Sequence, residues 1–513
     1  MAQPGVASAG FGRLAEFPLL VVLLGTVGLA CWLPAGHAVI LGHHRVAQSF
    51  FYSGLVLTTL AIMLAIATRH TRPRYGAQGQ LAALVGAYLV LPLAMALPMV
   101  LAIRDTSLSN AWFEMLSCFT TTGASLYEPG RLSPSIHLWR ALCGWFGGFF
   151  ILLCAYAVLG PLNLGGAEVI SGRVPGRGEG AVQITRLADP AQRLARHTGT
   201  ILPVYAGLTL LLWLGLLIAG EDGLLALTHA MGTISTSGIT AGVGLSVTGS
   251  GWTGELLLFV FLIFGVTRRT MPVRGPHESR QKIWQDPELR LALVLVTLVV
   301  VVLLLRHALS DADGTELASL RGFFRAFWGA MFTSLSFLTT TGYESAYWSS
   351  ARDWSGLGAP GLVLLALAIV GGGVATTAGG VKLLRVYALF RHGQRELERI
   401  IHPSSVGGRG AEERRLRHEG AYQAWVFFML FAISIALVMA ALTVAGLAFE
   451  TALVLGIAAL TTTGPLAGVA SLDPILYAGL TDPVKFILGA AMILGRLETL
   501  ALIALLAPGG WRR

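Results

Sequence analysis

Ten apolar windows, each near the roughly twenty residues a helix needs to cross a bilayer, divide this chain. They lie near 17–34, 51–68, 81–103, 139–162, 201–219, 252–266, 289–305, 360–383, 421–448 and 486–506. Lipid offers no partner to a backbone N–H or C=O, so segments of this kind must close their hydrogen bonds within helices. The composition agrees, with 54% hydrophobic and 12% charged residues and a mean hydropathy of +0.69. The expected fold class is an all-α polytopic membrane protein. The first window follows a weakly basic start and has no small-residue cleavage site ahead of a soluble domain, so it reads as a helix rather than a signal peptide.

A net charge of +9 raises the question of a nucleic-acid partner. Its distribution answers it. With the N-terminus inside, the segments 1–13, 69–79, 163–196, 267–290, 382–417 and 512–513 all fall on the cytoplasmic side, and they hold most of the 36 Lys and Arg. Positive residues kept inside set orientation. The basic balance is therefore a topology signal, no nucleic-acid partner is expected, and both termini are expected in the cytoplasm. Cys31, Cys118, Cys143 and Cys154 sit in or beside apolar segments without metal or redox spacing and read as small buried residues.

Between the windows one pattern recurs four times: FEMLSCFTTTGAS at 113–125, THAMGTISTSGIT at 228–240, MFTSLSFLTTTGYES at 331–345 and VLGIAALTTTGPLAG at 454–468. The glycines, Gly123, Gly238, Gly342 and Gly464, are 115, 104 and 122 residues apart. Runs of threonine are poor helix material, and glycine admits backbone angles other residues avoid. Each break follows an outward span and precedes an inward one, so all four are expected on the outer side. Irregular backbone survives at membrane depth only inside protein or beside water, and four such breaks are expected to converge on one axis. A half-helix entering there points its partly negative C-terminal end at the centre, and Thr-Thr-Gly can aim carbonyls inward. That combination selects a cation.

The arrangement resembles the Trk/Ktr/HKT superfamily of potassium transporters, and the resemblance runs from about residue 81 onward. It implies four pseudo-symmetric membrane–pore loop–membrane repeats around one pore, at 76–172, 173–282, 283–400 and 401–513, after an N-terminal helix pair at 1–75 like that of the bacterial Trk-type branch. The filter positions it implies are Thr121, Thr122, Gly123 and Ala124; Thr236, Ser237, Gly238 and Ile239; Thr340, Thr341, Gly342 and Tyr343; and Thr462, Thr463, Gly464 and Pro465. In the family a serine in place of the first filter glycine goes with sodium permeation, so Gly123 favours potassium. The resemblance further implies potassium uptake across a bacterial inner membrane, potassium as the transported ion with no organic cofactor in this chain, a homodimer, and a cytosolic nucleotide-binding regulatory subunit. The segment 382–417, basic and of mixed charge, is a reasonable docking surface for that subunit, although mixed charge is ordinarily only solvation.

Two further features bear on the same function. The run VGGGVATTAGGVKLLR from Val370 to Arg385 puts five glycines into ten residues of what should be a helix, at roughly 1 kcal/mol each relative to alanine. Small residues also mark tight helix crossings in membranes. The resemblance instead implies an intramembrane gate loop made by Gly371, Gly372, Gly373, Thr376, Thr377, Gly379 and Gly380, with Lys382 and Arg385 at its cytoplasmic edge. In the last window Arg496 and Glu498 interrupt an apolar run, and an ionisable residue in a membrane helix is a functional candidate. Two residues apart they do not share a helix face. A snorkelling or structural arginine is one reading; the resemblance implies that Arg496 lies below the filter as part of the barrier to ion flow.

Weaker signals remain. Glu114 in the first half-helix, and Asp105, Glu221, Asp222 and Glu344 near the outer mouth, read as solvated charges, with local enrichment of cations as the alternative. His43 and His44 read as a surface loop rather than a metal site. A sodium-permeable or proton- or sodium-coupled potassium symporter is the nearest rival. A polytopic membrane enzyme is a remote one, because an enzyme has no reason to repeat one break four times. No enzymatic activity is expected, and no phosphate-binding or dinucleotide glycine fingerprint is present.

Overall fold

A computed structural model describes residues 17–69, 77–162, 164, 166, 190–242, 245, 249–270, 283–310, 320–355, 361–402, 419–471 and 473–498. Every regular element among them is a helix. The chain opens with α1 (Leu19–Ala30) and α2 (Trp32–Ile40), interrupted only at Cys31, followed by α3 (His44–Thr68). α1 and α2 together form one apolar span of 22 residues, against which α3 packs as a second of 25. Gly28 makes that crossing close, since a Cβ there would lie 2.8 Å from the backbone nitrogen of Thr58.

Four groups follow, each a long helix, a short helix ending in a turn, and a closing helix. The first is α4 (Ala77–Ala102), α5 (Leu108–Phe119) and α6 (Pro134–Cys154). The second is α7 (Pro190–Ile218), α8 (Gly223–Ile234) and α9 (Gly251–Val266). The third has α10 (Pro287–Ser310), α11 (Leu320–Leu338), an extra α12 (Trp348–Ser355), and a closing helix split into α13 (Gly361–Val370) and α14 (Leu383–Ile401). The fourth is α15 (Glu419–Val444), α16 (Phe449–Leu460), the one-turn α17 (Leu466–Val469) and α18 (Asp482–Leu497).

Packing arranges the groups in a circle. The closing helix of each group lies on the short helix of the next, α6 on α8, α9 on α11 and α13 on α16, and α18 returns to α5. Burial follows from that order. The span containing α6 is 72% buried, whereas that of α3 is 28% buried, which puts the first at the centre and the second at the periphery. One apolar core, including Phe50, Tyr88, Phe113, Trp139 and Leu488, joins the N-terminal helices to groups one and four. A second, including Tyr205, Leu212, Phe332, Phe337 and Leu364, joins groups two and three. Ile66, Ile218, Leu293, Leu437 and Val444 instead face outward. A continuous exposed apolar surface of this kind is stable only against lipid.

Among the described residues, seven helical spans, α1 and α2 counting as one, are long and apolar enough to cross a membrane. Three expected windows are shorter, because α9 has 16 residues, α13 has 10 and α18 has 16. All three close a group, and each stops at irregular backbone. α9 ends at the extended Thr267, α13 at the glycine run, and α18 at Glu498 with φ +62°. Residues 499–506 of the last window lie outside the described residues, as do 403–418 of the expected docking segment. The four cysteines are buried and free, and His43 and His44 are exposed at the start of α3.

Candidate functional site

All four short helices end by one local device. The first hydroxyl after each helix, on Thr120, Ser235, Thr339 or Thr461, bonds the carbonyl four residues back at 2.8, 2.7, 3.0 and 2.8 Å. It also meets the hydroxyl two residues on, at 2.8 Å in the Thr120–Thr122 and Ser235–Ser237 pairs, 3.1 Å in Thr339–Thr341 and 3.2 Å in Thr461–Thr463. Between the two, the chain turns left-handed at Thr121, Thr236, Thr340 and Thr462, with φ of 54°, 50°, 56° and 54°. A β-branched residue ordinarily avoids that region. Four equal departures mean that the surroundings over-determine the turn.

The turns touch in chain order. A Cβ on Gly123 (φ +72°) would lie 2.1 Å from the Ser237 carbonyl oxygen, and one on Gly238 (φ +63°) 2.1 Å from that of Thr341. At Gly342 (φ +82°) it would meet the Pro465 ring at 2.8 Å. Gly464 closes the circle, its N–H donating to the Thr122 carbonyl at 2.6 Å and its α-carbon leaving no room for a Cβ, which would sit 2.3 Å from Ala124 N. The sixteen expected residues are thus brought together, and a cavity of about 510 Å³ lined by all four glycines opens on one side of them. The hydroxyls of Thr121 and Thr462 are buried without a hydrogen-bond partner among the described residues. Buried oxygens left without donors suit a cation that has shed water.

In three of the four groups the position nine residues before the glycine supports the turn behind the ring. In group one it is Glu114, whose carboxylate accepts from Leu126 N at 2.8 Å and from Arg140 Nε at 2.7 Å. In group two it is His229, which bonds Thr240 Oγ1 at 2.9 Å and is held from its other ring nitrogen by Glu221. In group three it is Thr333, accepting from Ser345 N at 3.2 Å, with Glu255 of α9 accepting from Ala346 N at 2.6 Å. In group four it is Leu455, and Tyr477 donates instead to the Gly464 carbonyl at 3.0 Å.

The reading of Glu114 and Glu221 as solvated charges is corrected: both are buried and bonded, because a carboxylate removed from water must take its partners from the protein. Asp105 (paired with Arg131), Asp222 and Glu344 are exposed. The sequence reading also passed over Arg140 and Glu255, although a charge inside an apolar window was the available signal. Glu114→Leu is expected to destabilise the fold by about 3–5 kcal/mol, since it strands a buried guanidinium. The heat-unfolding midpoint reads this, and removing Arg140 as well should restore part of the loss.

Between α13 and α14 the chain folds into a loop directly against the ring. Gly379 N donates to Thr340 Oγ1 at 2.7 Å, Thr377 Oγ1 to the Ile234 carbonyl at 3.3 Å, and a Cβ on Gly379 would lie 2.2 Å from the Thr461 carbonyl. Thr376 Oγ1 and Gly373 N both reach the Gly265 carbonyl, at 3.2 and 3.0 Å. Positive φ at Gly371, Ala375, Gly380 and Lys382 produces the fold of the loop, and its neck closes through Val381 N to Ile369 O at 2.9 Å and Leu383 N to Gly372 O at 2.9 Å. Glu288, at the start of α10, accepts from Val374 N at 2.8 Å.

Lys382 Nζ donates to the Ala378 carbonyl within the loop. Arg385 is fully buried, bonded to Glu498 at 2.7 Å and lying over the Phe427 ring at 3.6 Å. Arg496 therefore does not pair with Glu498; its Nε and Nη2 have no hydrogen-bond partner among the described residues. It lines a cavity of about 20 Å³ with Thr376, Gly379, Lys382 and the wide helical turn Ala155–Leu159. The loop thus touches both the ring and the cavity that Arg496 lines.

Membrane-length helices in four groups around a ring of inward-ending turns make this a multi-pass membrane protein of pore-loop architecture. The family of cation transport proteins called TrkH matches residues 257–509. The Trk system potassium uptake protein TrkH of Salmonella typhimurium is 30% identical over 418 residues, covering 80% of each chain. That of Vibrio parahaemolyticus is 29% identical over 438 residues, covering 82% of this chain and 84% of the relative. The chain belongs to the TrkH family of cation transport proteins. The crystal structure of the potassium transporter TrkH from Vibrio parahaemolyticus shares the fold, with a TM-score of 0.77 and 24% identity over 98% of this chain and all of that one.

Proposed function

We propose that this protein takes up potassium across a bacterial inner membrane through the ring of turns at 121–124, 236–239, 340–343 and 462–465, which acts as its selectivity filter. The observation that carries the reading is the fourfold left-handed turn closed in chain order, with partnerless buried hydroxyls on two of its segments. Curated relatives named as potassium uptake proteins support potassium as the cargo. The residues do three things: the carbonyls and hydroxyls replace ion hydration, the buried network behind them fixes their spacing, and the loop at 371–380 with Lys382 and Arg496 blocks the inner side until it moves. The repeats at 76–172, 173–282, 283–400 and 401–513, after the helix pair at 1–75, are the units of the pore. Both termini lie in the cytoplasm, the chain forms a homodimer, and a cytosolic nucleotide-binding subunit sets the state of the loop through the segment 382–417.

The test is direct. Expression should restore growth of a potassium-uptake-deficient bacterium at low potassium, and the purified chain in proteoliposomes should carry rubidium and potassium in preference to sodium. Sodium transport alone would overturn the choice of ion. Repeating the flux with and without a proton gradient separates passive from coupled movement.

A further inference from the structure

The four ring segments differ most just past their glycines, where Ala124, Ile239, Tyr343 and Pro465 follow. In groups one and three the backbone N–H three residues after the glycine bonds the position nine before it, at 2.8 and 3.2 Å. In group two that N–H, on Ala241, reaches only Thr228 Oγ1 at 3.4 Å. Another element holds this segment. Tyr343, from group three, is buried behind group two, and its hydroxyl donates to the Ile239 carbonyl at 3.2 Å. The His229 ring stands edge-on to it at 5.6 Å. The hydroxyl fits because α8 carries Gly232 there: a Cβ at that position would lie 2.1 Å from the Tyr343 oxygen and 2.7 Å from the Ile239 oxygen.

Groups two and four stand opposite each other in the circle, and group four is held in a like manner by Tyr477 on the Gly464 carbonyl at 3.0 Å. Two tyrosine hydroxyls thus hold opposite sides of the ring from outside. We infer that Tyr343 is a specificity-determining positioning residue, which sets how far the segment 236–239 stands from the pore axis and so how well the ring rejects a cation smaller than potassium. The inference rests on the transport reading above. A carbonyl tied outward cannot follow a smaller ion inward; without the tie, the segment relaxes toward the shorter oxygen distances that sodium requires.

The experiment compares the full chain with Tyr343→Phe, Tyr343→Leu and Gly232→Ala in proteoliposomes, measuring rubidium uptake against competing potassium or sodium. Heat unfolding of the same proteins in each salt provides a readout that needs no transport. Tyr343→Phe removes one hydrogen bond and should lower the potassium-over-sodium preference by about 3- to 10-fold, with Tyr343→Leu lower still. Potassium's extra stabilisation over sodium in heat unfolding should shrink in parallel. A merely structural role would lower the midpoint equally in both salts. Gly232→Ala displaces the same hydroxyl and should reproduce the loss, and the double variant with Tyr343→Phe should lose less than the sum. A folded Tyr343→Phe protein with wild-type preference in both assays overturns the inference and leaves the transport reading intact. A wild-type chain with no preference in either assay overturns both.

Discussion

Gly123→Ser should lower the preference of this protein for potassium over sodium by at least about tenfold, equivalent to ~1.4 kcal/mol of discrimination. The expectation comes from space. The Cβ of a serine would occupy a point 2.1 Å from the Ser237 carbonyl oxygen, and the φ of +72° at Gly123 is one that residues with a side chain rarely adopt. Either segment must therefore shift, and the carbonyl that shifts is one of the oxygens proposed to replace the ion's water. Gly238→Ser repeats the geometry against Thr341 and should have a similar effect. Ion competition for rubidium uptake measures it, and an unaltered preference in a folded Gly123→Ser protein would remove the first segment from the site.

The second large effect is expected at the inner side of the ring, where Arg496→Ala should raise the potassium flux about tenfold or more. A unit charge passing within roughly 5 Å of a guanidinium meets about 3 kcal/mol of repulsion at an effective dielectric constant near 20. Glu498 does not cancel this charge, because its carboxylate is bound to Arg385. Arg496→Lys keeps the charge and should keep the flux low, which separates electrostatics from packing. Equal flux in wild type and Arg496→Ala would remove this residue from the barrier, leaving the loop alone to close the path.

Much of this was legible in the chain itself. The ten windows, the four Thr/Ser-Gly breaks and the glycine-rich interruption of the third closing helix all follow from local rules, because bilayer length, backbone satisfaction and helix-breaking residues act within short stretches. The coordination of each turn was partly legible too: three hydroxyl residues before a glycine provide both the back-bonding group and its partner. The charged supports were misread for a definable reason. Glu114 lies in a short half-helix and Glu221 in a loop, and only the partners Arg140, His229 and Ser250, contributed by other positions, show that they are buried.

The sequence by itself determined that the chain lies in a membrane, where its helices break, and that the breaks are four of a kind. Periodicity and composition carry that information because each break is specified by its own few residues. Tertiary structure alone decided that the breaks form one ring in chain order, that Gly464 seals it against Thr122, that Glu498 belongs to Arg385 rather than Arg496, and that Tyr343 of one group supports the group before it. Each of these joins residues about a hundred or more positions apart, and such pairings are fixed by how helices pack around a common axis rather than by any local pattern.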